Sequence, residues 1–109
     1  MALSTEIIAD FLQSVHPYDS LDAATRETLA GTIKPQEFPQ GSDIYALGDT
    51  LDALYIIYSG DVAVADEQGA PLSQLKARNS FGERALMRGG VAGTSARASS
   101  DTLLLALPA

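Results

Sequence analysis

A chain of 109 residues with a net charge of -7 suits a single domain with a modest core, and is too acidic for nucleic acid or an anionic membrane to partner its whole surface. A hydrophobic content of 46% excludes wholesale disorder, the absence of cysteine excludes disulfides and thiolate metal sites, and a single histidine, His16, excludes any site needing several imidazoles. No apolar run approaches the roughly 18 residues that span a bilayer, and no basic region followed by an apolar segment opens the chain, so a cytoplasmic location is expected.

The first third reads as helical. In "STEIIADFLQSV", Ile7, Ile8, Phe11, Leu12 and Val15 recur at three- and four-residue spacing and predict one apolar helix face. Ser4 or Thr5 can cap its start and Pro17 ends it. A second helix fits "LDAATRETLAG", with Ser20 or Asp22 as start signal and Gly31 as stop. Pro35 prevents its continuation.

From residue 36 short apolar runs alternate with turn residues: "QEFPQG", "DIYALGD", "ALYIIYSG", "DVAVADEQG", "PLSQLKA", "TSARA" and "DTLLLALP". Such spacing predicts an antiparallel sandwich or barrel, mainly β, behind the helical lead-in. "DEQG" is a hairpin turn, because Gly69 can take the positive φ such turns require. The expected organisation is one domain over residues 1–109, with helices over 1–34 and a β-roll over 35–109. The stop directly after the last strand reads as a cut.

Charge is unevenly spread. Lys76, Arg78, Arg84, Arg88 and Arg97 are five of the seven basic residues, and Glu83 alone opposes them between positions 76 and 97. The simple reading is that these long side chains solvate exposed edges. Enzyme chemistry finds no support: a metal-dependent jelly roll needs converging histidines, and no serine has a histidine within reach of the sheets. Asp43, Asp49 and Asp61 sit near glycines in turns, where carboxylates cap backbone amides. A binding site is the better reading of "FGERALMRGGVAGTSARA". Gly82 before a short helical segment leaves backbone N–H groups that favour an anion such as phosphate. Glu83 at the mouth can accept hydrogen bonds from sugar hydroxyls but would repel the phosphate.

"FPQGSDIYALGDTLDALYIIYSGDVAV" followed by "NSFGERALMRGG" resembles the cyclic nucleotide-binding domain family, over roughly residues 7 to 107. Gly41, Ile44, Gly48-Asp49, Leu54-Tyr55-Ile56-Ile57 and Gly60 match that family's β-roll pattern, and "FGERAL" the start of its phosphate-binding cassette. The resemblance implies a jelly-roll-like antiparallel β-roll (a double-stranded β-helix) preceded by helices, and cyclic AMP or cyclic GMP as ligand in binding members. It places the family's glycine and ribose-holding glutamate on Gly82 and Glu83, and the cassette helix on Ala85 and Leu86. Aligned without a gap, the family's Pro-Arg-Ala-Ala-Thr run falls on Val91, Ala92, Gly93, Thr94 and Ser95. The arginine that grips the cyclic phosphate is therefore replaced by Ala92.

Losing one member of a buried charge-assisted pair costs about 2–5 kcal/mol, or roughly thirtyfold to a few thousandfold in affinity. The backbone amides of Ala92 and Gly93 and the hydroxyls of Thr94 and Ser95 are expected to remain as donors. Arg84 and Arg88 share one face of the cassette helix, and Arg97 faces outward if Ala96 and Ala98 face the core. Arg88, beside Gly89-Gly90, is the best candidate to swing inward. A lid helix of the family would follow residue 109.

The expected function is a regulatory or sensor domain with weakened or lost cyclic nucleotide binding, the alternatives being a working sensor of a phosphate-bearing ligand or a protein-interaction domain that docks neighbouring domains or a second copy. No enzyme activity and no cofactor are expected. The style of "GERALMRGG" and "LLLALPA" looks similar to bacterial proteins in which such a domain precedes CBS repeats and a nucleotidyltransferase region. Transcription factors of the catabolite-activator type are the next context.

Overall fold

The computed structural model describes residues 3–16, 18–87 and 89–108; the expected helix stop at Pro17 and the candidate cation Arg88 lie outside the described residues. Helix α1 spans Thr5–Leu12, and Ser4 Oγ accepts the Ile7 N–H at 3.2 Å. It buries Ile8, Ala9 and Leu12, with Val15 completing the stripe beyond its end. Ile7, expected on that face, is 43% exposed. Ile8, Leu12 and Val15 stack at four- and three-residue steps, while Ile7 and Ala9 flank them on opposite sides. The Ala9 flank is covered, while on the Ile7 flank Phe11 is only partly buried, 4.7 Å from the Tyr58 ring.

A single 3-10 turn at Tyr18–Ser20, which the sequence pattern did not predict, precedes α2 at Ala23–Ala30. Asp22, one of the two expected start signals, caps α2 by accepting the Thr25 N–H at 2.7 Å. Gly31 follows the helix at a right-handed φ of -66°, so the stop does not use a left-handed glycine. The chain instead tightens through Thr32 and Ile33, whose amides bond to Leu29 and Ala30, and Ile33 drops into the core.

Among the described residues, eight strands then build two four-stranded antiparallel sheets. The first orders β1 (Lys34–Phe38), β8 (Thr102–Pro108), β3 (Ala53–Ser59) and β6 (Ser80–Phe81). The second orders β2 (Asp43–Tyr45), β7 (Ser95–Ala98), β4 (Asp61–Ala65) and β5 (Pro71–Lys76). Pro35 is tolerated inside β1 because that strand is an edge, where a missing N–H need not break a ladder. Helix α3, Glu83–Met87, interrupts the sheet pattern between β6 and β7. The result is the expected helix-led, jelly-roll-like antiparallel β-roll.

The central strands of the first sheet, β3 and β8, are covered on both faces, which explains why "LYIIY" and "TLLLAL" read as continuous apolar runs rather than as alternation. One face meets α1 and α2, where Ile56, Leu105 and Leu107 pack with Ile8, Leu12, Val15 and Ile33. The other meets the second sheet, where Ile57, Leu104, Val62, Phe81 and Ala96 form a separate core. Arg78 bridges the lead-in and the roll: its Nε donates to Ser14 Oγ at 2.9 Å and its guanidinium lies 5.4 Å from the centre of the Phe11 ring.

The turn carboxylates divide their roles. Asp49 Oδ2 accepts the Ala46 N–H at 2.9 Å, and Asp66 accepts from Gln68 and Ala70 in the "DEQG" turn, where Gly69 has φ +81°. Asp43 and Asp61, expected to cap amides, instead engage side chains: Arg97 Nε donates to Asp43 Oδ1 at 3.0 Å, and Ser100 Oγ donates to Asp61 Oδ2. Arg97 is exposed between buried Ala96 and Ala98, as strand alternation requires. Among the described residues, no helix is long and apolar enough to cross a membrane.

Candidate ligand cleft

The "FGERAL" segment enters the site through β6. Phe81 is buried and stacks on Tyr55 at 5.3 Å and 23°, with Tyr45 tilted beside it at 6.2 Å. Gly82 then turns the chain at φ +99°, where a Cβ would lie 3.4 Å from the Ala53 carbonyl oxygen. A left-handed residue pressed this closely against a neighbouring strand calls for glycine. The turn starts α3 and leaves Glu83 exposed at its first position.

A cleft of about 570 Å³ opens against this segment. Gly82, Glu83 and Ala85 form one side of it, and Ala92, Gly93 and Thr94 the loop facing them. Six of the eight site residues named from the sequence therefore line one cavity. Ser95 does not: it opens β7, where it pairs with Ala65 outside the lining. Arg88 lies outside the described residues.

The sequence reading missed the remaining walls. Val64 and Leu75 come from β4 and β5, and Leu72, Ser73, Ser80 and Tyr45 complete the lining. Leu72 reaches it because β5 carries a bulge: Val64 pairs with Ser73 and Ala65 with Pro71, so Leu72 is the extra residue between two pairs. The alternation of "DVAVA" marks Val62 and Val64 as inward-facing, but no signal in "PLSQLK" announces the bulge.

The electrostatics are one-sided. Glu83 is the charged residue lining the cleft, and no lysine or arginine joins it among the described residues. Burial pushes the Tyr45 hydroxyl above the usual phenol range; a hydrogen bond with the Thr94 side chain opposes this and the charge of Glu83 adds to it. Burial likewise raises Tyr18, in the turn before α2, with Glu83 again contributing. The field of Glu83 thus reaches both the cleft wall and the helical lead-in.

Position 92 is closed in the backbone as well as in the side chain. Ala92 is 3% exposed, its N–H donates to the Asp49 carbonyl at 2.9 Å, and its carbonyl accepts the Gly48 N–H at 2.8 Å. The adjoining residues are stitched to the same turn, Val91 bridging Thr50 and Gly90 accepting from the Leu51 N–H. The Ala92 amide, expected to remain as a phosphate donor, is already spent. Helix α3, at five residues, is also too short to present a strong dipole.

The family profile "Cyclic nucleotide-binding domain" matches residues 35–109. The chain belongs to the cyclic nucleotide-binding domain family. Among curated relatives, the cAMP-dependent protein kinase regulatory subunit of Aspergillus niger is 35% identical over 78 residues, covering 71% of this chain and 19% of that protein. The regulatory domain of Toxoplasma gondii protein kinase A, solved with cAMP, superposes with a TM-score of 0.89 at 25% identity, covering 95% of this chain and 42% of that one. The regulatory subunit of a cAMP-independent protein kinase A from Trypanosoma cruzi, bound to guanosine, superposes at 0.84 with 25% identity, covering 95% and 38%. The cyclic nucleotide-binding domain described here is thus of the kind carried by kinase regulatory subunits, and spans about a fifth of the A. niger relative's length.

Proposed function

We propose that this chain is a regulatory domain whose cleft has weakened or lost cyclic nucleotide binding. The observation that carries the reading is position 92, where the loop facing Glu83 offers a buried methyl group and an amide already bonded to Asp49. The sugar side of the cleft fits a nucleotide: Glu83 is exposed at the rim and able to accept from ribose hydroxyls. The phosphate side does not, because a buried phosphodiester needs a charge-assisted donor that the described lining lacks. Support also comes from the T. cruzi neighbour, where this fold serves a kinase described as cAMP-independent. Thr94, Gly93 and Ser95 are the residues left to meet whatever takes the phosphate's place.

The domain acts within a larger cytoplasmic protein, docked against other domains or a second copy. The curated relatives, in which the matched region is a minor part of the length, support this setting. They give no support to a CBS-repeat and nucleotidyltransferase context, since those reported are kinase regulatory subunits.

Isothermal calorimetry with cyclic AMP and cyclic GMP tests the reading. Ala92→Arg should gain roughly thirtyfold or more in affinity over the wild type. Wild-type binding as tight as that of the variant would overturn it.

A further inference from the structure

The cleft does not look emptied; it looks re-matched to a different charge. Its lining carries the apolar side chains of Val64, Leu72 and Leu75, with the polar residues Tyr45, Ser73 and Thr94 among them, Ser73 directly opposite Val64. Among the described residues, the one formal charge on that lining is the carboxylate of Glu83, on a protein of net charge -7. A flat apolar group fits the valine and leucine side chains, and a ligand rich in hydroxyl donors fits the carboxylate. An anionic group suits neither, since no described cation faces it and Glu83 and the net charge both repel it.

We propose that the cleft takes an uncharged nucleoside in preference to any cyclic nucleotide. The chemistry of the two ligands separates them at the positions where this cleft is unusual. A cyclic nucleotide esterifies its 3′ and 5′ oxygens, which turns two potential donors into parts of an anion. A nucleoside keeps the 2′, 3′ and 5′ hydroxyls as neutral donors and acceptors. Glu83 can accept from the vicinal 2′ and 3′ pair, while a neutral 5′ hydroxyl can lie by Gly93 and Thr94 without a counter-charge. The loop is built to stay neutral there: the backbone of Ala92 is held on both its N–H and its carbonyl by the Gly48-Asp49 turn. A volume of about 570 Å³ lies within the range of small-molecule sites. The inference rests on the reading of the cleft as diverged from cyclic nucleotide binding.

The test titrates the purified protein with guanosine, adenosine, uridine, cyclic AMP and cyclic GMP, and with a 2′,3′-dideoxynucleoside. Alongside the wild type run Ala92→Arg, Glu83→Gln and Arg88→Ala, each checked for an unchanged melting profile without ligand. The expected result is a nucleoside bound at least tenfold more tightly than either cyclic nucleotide. That preference should be lost in Ala92→Arg, and affinity should fall at least tenfold in Glu83→Gln and with the dideoxynucleoside. Wild-type protein that binds neither class overturns this inference alone and leaves the loss-of-binding reading standing. Wild-type protein that prefers a cyclic nucleotide overturns both, and loss of that binding in Arg88→Ala would identify Arg88 as the cation.

Discussion

The hydroxyl of Tyr45 sits in the cleft wall, bonded to Thr94 and raised above the ordinary phenol range first by burial and then by the charge of Glu83. The folded state therefore favours the neutral phenol more than the unfolded chain does. That preference contributes in full below the unfolded value near ~10 and is lost as pH rises through the higher folded value. Stability followed by circular dichroism should fall on passing above about pH 10, and Tyr45→Phe should fall less steeply, with Tyr18 and Tyr55 supplying the remaining slope. At neutral pH the same substitution should cost about 0.5–1.5 kcal/mol, for one hydrogen bond lost. Residue-scale legibility was uneven. The resemblance to the family sets Ala92 where that family's arginine falls, because alignment from "FGERAL" needs no gap. The capture of its amide by Asp49 is not visible, because the hydrogen bond joins two turns that only the folded sheets bring together.

Elements with a strong local signal are legible in the sequence, and those defined by long-range pairing are not. The helices and seven of the eight strands follow from periodicity and turn residues. Strand β6 is two residues long and exists only because Tyr55 and Ile56 pair with it, so no local pattern marks it. The bulge at Leu72 is likewise a property of the β4–β5 register rather than of either strand alone. Asp22 shows what a local signal secures. Its carboxylate lies below the usual range because it accepts a hydrogen bond from Thr25. A lowered carboxylate stabilises above its unfolded pKa, and the contribution disappears as pH falls through the folded value. Asp22→Asn should keep the cap but flatten the loss of stability on acidification below about pH 4, measured by thermal melts across that range. An acid profile identical to the wild type would show that α2 does not depend on this charge.

At the scale of the whole molecule, the first sheet is a wall shared by two cores. Neighbouring residues of β8 belong to different ones: Leu104 faces the second sheet, and Leu105 faces the helices. Truncation of either to alanine should cost about 2–5 kcal/mol in chemical denaturation, since each is fully buried. The two should differ in what they disturb. Leu104→Ala should alter fluorescence from the Tyr45, Tyr55 and Phe81 cluster, and Leu105→Ala should loosen α1 and expose its amides to hydrogen exchange. The sequence showed that "TLLLAL" is buried. It could not show that alternate leucines serve separate cores, because a run apolar at every position hides which face is which.

The place of β8 has a consequence during synthesis. Of the described strands, the last made is the one that sits between β1 and β3, so the ribosome delivers both neighbours, and the helices that pack over them, before the strand that joins them. Until it emerges, Ile56 and the inner face of α1 have no complete surface to close against. Neither of those pairings can form until β8 has been made, so its insertion closes both cores in a single step.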